Sequence, residues 1–442
     1  MRPISRRLML GGSAVLAVAA TLAACSNGSS SGSENGVYLL NFKPEAEEAL
    51  KTIASAYKDK TGVEVKIVTA ASGTYQQTLQ TEVAKSNPPT IFNINGPVGL
   101  VTWKDYALDL SGTEFVKALT DTSMALTDES GVVYGSPLGI EGYGLIYNAA
   151  ILNKYFALEG AKVTSVDEIK GFAKLKEVVE DMQARKADLG IEGAFACTSL
   201  ASGEDWRWQT HLANYPVFYE FRDKGVTDAK EVDLTYSDNY KQIFDLYLNN
   251  STVAPSAAAA KTVTDSMADF ALGKCAFVQN GNWAWSQISE VEGNTVAEGD
   301  IHFMPIYIGV NGEEKSGIAL GTENYLAVNS QVSETAQKAS IDFLTWLLTG
   351  EGAKMLVDNS VVSVSPYPAF SELTPADPLG KETAQFLANK ELYPINWVFQ
   401  TFPSQEFKNQ LGSHLAQYAS GKEDWSAVKE YFVSTWKSEK SA

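Results

Sequence analysis

The sequence predicts an α/β protein of two lobes, and three observations carry that prediction. At 442 residues the chain exceeds one ordinary hydrophobic core. From Val37 onward, short apolar runs of strand character alternate with stretches of helical periodicity, joined by tight glycine connections. That alternation is the pattern of βαβ units and a parallel sheet. The apolar runs also end in Asn, Gly and Trp, as at the carboxyl edge of an open sheet that holds a ligand. Hydrophobic content of 45% and charged content of 20% are those of a soluble globular protein. A net charge of −18, without any cluster of Lys and Arg, excludes a nucleic-acid surface.

The first residues address the chain for export. Arg2, Arg6 and Arg7 precede an apolar run from Leu8 to Ala20, too short to span a membrane and followed by no stop-transfer pattern. Leu22-Ala23-Ala24-Cys25 resembles a lipobox, which implies removal of residues 1–24 and lipidation of Cys25. An ordinary secretion signal with an incidental Cys25 is the alternative. Residues 25–36 are Gly/Ser-rich and form a slack tether. Cys197 and Cys275 are the remaining cysteines, a disulfide or two buried thiols.

In the body of the chain, Val37-Tyr38-Leu39-Leu40 is a strand leaving through Asn41-Phe42-Lys43-Pro44. A helix with Ile53 and Tyr57 on its inner face stops at Lys60-Thr61-Gly62, before the alternating strand 63–68. Ser72 belongs to the next polar turn, and Asn95 closes a strand entered through Pro88 and Pro89. Residues 192–199 form a buried strand with the polar aromatic exit Asp205-Trp206-Arg207-Trp208. His211, Tyr215, Phe218 and Tyr219 follow at helical spacing and are assigned to the core. The strongest stretch is 270–285: a helix end at Gly273, a strand Cys275-Ala276-Phe277-Val278, a turn Asn280-Gly281-Asn282, then Trp283 and Trp285. Trp397 lies in a second aromatic interruption near the carboxyl end.

Phe270, Gly273, Ala276, Asn280, Gly281 and Trp283 match the F-x-x-G-x-x-A-M-x-x-N-G-x-W pattern of extracellular solute-binding proteins. The chain thus resembles family 1 of that group, the sugar-type lineage of the maltose-binding protein. Residues 128–152 resemble its G-x-x-Y-G-x-P and x-Y-N-x-x-x-L segments, residues 321–328 its second crossover, and residues 339–353 the segment before its third. Thr90 and Val166 depart from the usual Asp and Trp. The resemblance implies a periplasmic-binding-protein-like fold of type II with hinge crossovers near Glu141, Gly317 and Gly352. Lobe 1 would comprise 37–140 with 317–351, and lobe 2 would comprise 141–316 with 352–442. It also places Glu141 where a group touches ligand.

Sugars offer flat C–H faces and rims of hydroxyls, which suit indole faces and hydrogen-bonding side chains. The expected ligand-binding residues are Asn41, Phe42, Ser72, Asn95, Glu141, Asp205, Trp206, Arg207, Asn280, Trp283, Glu323 and Trp397. The expected function is capture of an oligosaccharide by a monomeric, membrane-anchored lipoprotein that delivers it to the transmembrane subunits of an ABC permease. No cofactor and no metal are expected, since His211, His302 and His414 are isolated and no G-x-S-x-G, H-E-x-x-H, P-loop or Ca²⁺ loop occurs. An anchored carbohydrate-active enzyme and a lipoprotein for a non-sugar solute (a polyamine or a peptide) are the alternatives.

Overall fold

Val37–Asn41 (β1) is buried at every position, as a strand covered on both faces must be. In the computed structural model, which describes residues 36–71 and 73–441, Leu39 faces one core and Leu40 another. The leader, Cys25 and Ser72 lie outside the described residues. Gly62 stops the first helix, Glu47–Thr61, with φ +76° and its backbone N–H donating to Lys58 O at 2.7 Å.

The strands form two sheets. In the first, β1 lies parallel between β2 (Val65–Thr69) and β3 (Ile91–Asn95). The sheet continues antiparallel through β10 (Asn324–Val328), β5 (Val133–Pro137) and β4 (Leu126–Thr127). In the second, β6 (Glu141–Asn148) is flanked antiparallel by β7 (Phe277–Gly281), β8 (Ile301–Met304) and β9 (Ser316–Gly321), and β11 (Tyr393–Asn396) extends β9 in parallel. Each sheet has a core on both faces, with Leu145 and Ile146 of β6 pointing into different ones. The chain passes between sheets at 138–140 and again at 322–323.

Three local expectations change. Gly317 lies inside β9 of the second sheet, so the second passage falls a few residues later. Gly352 opens a helix, Gly352–Asp358, whose Ala353, Leu356 and Val357 still pack in the first core together with Tyr367 and Phe370, so the third passage follows residue 370. Residues 193–199 are buried but touch β7 through one bridge at Phe195, with Ala196 N donating to Phe277 O at 2.8 Å. An apolar run can be buried with scattered backbone bonds outside a regular ladder, and its pattern cannot distinguish the two. Cys197 and Cys275 are both buried free thiols.

Candidate ligand-binding site

Asn280 and Gly281, which read as a turn, instead prolong β7 opposite Gly144 and Tyr143 of β6. On the other flank of β6, Gly321 of β9 lies opposite Glu141. A Cβ on Gly281 would run into the ring of Trp283, and one on Gly321 would lie 2.5 Å from the ring of Trp397. Each glycine therefore lets an indole lie directly on the sheet edge. Between them sits Tyr143, its ring stacked at 4.2 Å and 7° on His211 and its hydroxyl donating to His211 O at 3.0 Å.

His211 comes from a π-helical turn, Arg207–Leu212, a rare geometry that recurs at functional sites. Its ring centroid is 4.8 Å from Trp206, 5.6 Å from Trp283 and 5.9 Å from Trp397. Trp206 and Trp283 are themselves 5.9 Å apart. Three indoles from distant stretches thus converge on one imidazole. Burial, with the charges of Arg207 and Lys408 nearby, holds His211 well below the usual imidazole range, so it is neutral.

Arg207 lies at the base of the cluster, 2% exposed, its guanidinium 3.9 Å above the Trp206 ring. Its Nε donates to Asn280 Oδ1 at 3.0 Å, and its backbone carbonyl accepts from Gln279 Nε2 at 2.7 Å. Burial pulls its pKa down to about 9. Arg207 Nη1, Trp283 Nε1 and Trp397 Nε1 are buried without a hydrogen-bond partner among the described residues. Buried donors of this kind are rare unless a further group completes them.

The first sheet brings Phe42 and Lys43 towards β6. Lys43 Nζ forms an ion pair with Glu141, both side chains largely buried. Burial lowers the Lys43 pKa, but the charges of Glu141 and Glu45 outweigh it and leave it raised. A narrow cavity there is lined by Phe42, Lys43, Glu141, Asn282, Thr322 and Asn324. Segments outside the strands come together as well: a Cβ on Gly73, after β2, would come within 2.9 Å of Gly203 O, and Tyr325 Oη of β10 donates to Gln400 Oε1 at 3.3 Å.

Of the residues singled out in the sequence, Trp206, Arg207, Asn280, Trp283 and Trp397 fall in one cluster, and Phe42 and Glu141 line the cavity. Glu323 stands 3.9 Å from Lys408 Nζ, its carboxyl raised by burial. Asn41 and Asn95 are occupied locally. Asn41 Nδ2 donates to Lys43 O at 2.6 Å and to Thr69 Oγ1 at 3.1 Å, and Asn95 Oδ1 accepts from Gln76 Nε2 at 3.1 Å. Asp205 is buried against Gly412 of the helix Gln405–Ala419. His211, Tyr143, Lys43 and Lys408 were not anticipated. The assignment of His211 to a core stripe of the following helix hid it, and nothing local marks Lys408.

Comparison with known proteins agrees with this architecture. The sequence profile of the bacterial extracellular solute-binding proteins matches residues 52–382, and the chain belongs to that family. No curated protein sequence matches it significantly. Among solved structures, a chitin oligosaccharide binding protein aligns with a TM-score of 0.72 at 17% identity, over 92% of this chain and 99% of the other. RafE in complex with raffinose aligns at 0.69 and 16%, over 92% and 99%. Maltose-bound MalE3 of T. maritima aligns at 0.65 and 15%, over 91% and 99%. The protein has the two-lobe fold of solute-binding proteins.

Proposed function

We propose that this protein captures an oligosaccharide between its two lobes and delivers it to the membrane permease of an ABC importer. The observation that carries the reading is the convergence of Trp206, Trp283 and Trp397 on His211 with unpartnered donors among them. Indole faces suit the C–H faces of pyranose rings, and buried N–H groups suit hydroxyl oxygens. The first lobe comprises β1–β5 and β10 and the second β6–β9 and β11, hinged at 138–140, at 322–323 and beyond residue 370. Binding without turnover fits the family, and it fits Glu141 and Glu323 as partners of Lys43 and Lys408. A polyamine is disfavoured, because the cation Arg207 already occupies a face of Trp206.

Anchoring rests on Leu22-Ala23-Ala24-Cys25. Among the described residues no helix is long and apolar enough to cross a membrane. Cys25→Ser should move the protein from the membrane fraction to the soluble one. A thermal-shift panel of oligosaccharides, polyamines and peptides tests the ligand class. A ligand at 100 times its Kd adds about 2.7 kcal/mol of stability, a readable rise in Tm. A rise with glycans alone supports the reading, and a rise with polyamines or peptides alone overturns it.

A further inference from the structure

Three arginines lie among the described residues, and the buried one is the one without an ion pair. Arg185 pairs with Asp181 at 3.3 Å and Arg222 with Asp223 at 3.0 Å, both with side chains in reach of solvent. Arg207 is 2% exposed, and its side chain bonds to the neutral amide of Asn280. The other two cations near the cluster and cavity have carboxylates, Glu141 for Lys43 and Glu323 for Lys408. Glu204 and Glu45 act on Arg207 only through their fields, without contact, and Glu204 Oε2 accepts from Val263 N at 3.3 Å. A guanidinium taken out of water without an anion in contact is costly. Here one face is covered by Trp206 while Nη1, in the guanidinium plane, has no acceptor. The missing group is an in-plane oxyanion, for which arginine is the best-suited donor.

We propose that the physiological ligand is an acidic oligosaccharide, and that a sugar carboxylate of the hexuronate kind seats on Nη1 of Arg207 while a neighbouring ring packs on the Trp283 side of the cluster. This rests on the carbohydrate reading above and narrows it. Asn280 is a positioning residue: its Oδ1 holds Nε and so turns Nη1 towards the ligand. The neutral His211 keeps the cluster free of a second positive charge close to the guanidinium.

Calorimetric titration of the purified protein with oligogalacturonides, neutral oligogalactosides of equal length and sulfated counterparts tests this. The uronate should bind at least tenfold more tightly than its neutral counterpart, and Arg207→Gln should erase that preference. Asn280→Asp, which supplies an internal carboxylate to the guanidinium, should erase it too, and it carries the test if Arg207→Gln does not fold. Neutral glycans that bind as tightly as uronates, with a ratio that neither variant changes, overturn the inference and leave the carbohydrate reading intact. Binding of sulfated glycans alone overturns the carboxylate assignment. Binding of no glycan at all overturns the carbohydrate reading and this inference with it.

Discussion

Asp205 shows what a single side chain can cost. Burial raises its pKa from 3.8 to about 6, and Gln209 and nearby backbone amides only partly offset this. A folded state that holds its proton more tightly than the unfolded chain loses stability as pH rises between those two values, and the full penalty applies above about 6. A shift of about two units corresponds to roughly 3 kcal/mol. Asp205→Asn should therefore stabilise the protein at pH 7.5 by something on the order of 2–3 kcal/mol and flatten its stability between pH 4 and 6.5. Urea denaturation of both forms across that range is the measurement, and equal stabilities at pH 7.5 would refute it.

At the level of elements, the edge formed by β7, β6 and β9 explains why its glycines are glycines. Gly281 is absent from the positive-φ positions, so backbone freedom is not the reason for it. The reason is the indole of Trp283 lying where a Cβ would be. Gly281→Ala should push that ring aside, weakening ligand binding at least tenfold while costing about 1–3 kcal/mol of stability, as overpacking does. Calorimetry and thermal melting separate the two effects. The G-x-W spacing that makes this contact is local, and so it was legible in the sequence, as were the Gly62 stop and the ends of β1 and β3 at Asn41 and Asn95. What escaped was set by distant contacts. The ladder through Asn280 and Gly281 exists because β6 lies alongside. His211 joins the site through a π turn that apolar periodicity cannot register. Lys408 reaches Glu323 from a helix far along the chain. Asn41 and Asn95 show the converse, since their identities suit a ligand and equally suit the turns that use them.

At the scale of the whole molecule the question is closure. Gly73 follows β2 of the first sheet, Gly203 precedes the π turn of the second lobe, and a Cβ on the former would come within 2.9 Å of the latter's carbonyl oxygen. Contact that close requires both the lobes together and no side chain between them. Gly73→Val should hold the lobes apart, so that a saturating ligand no longer contracts the particle in small-angle X-ray scattering and affinity falls at least tenfold. The variant also carries the strain of a β-branched residue at φ +71°, about 1–2 kcal/mol. Gly62→Val controls for that: it has a similar φ of +76° at a helix end, and a Cβ there meets nothing within 4 Å. Gly62→Val should lose comparable stability yet contract and bind as the unaltered protein does. Equal contraction and equal affinity in both variants would mean that the Gly73–Gly203 contact is incidental, and that the hinge closes on its ligand without it.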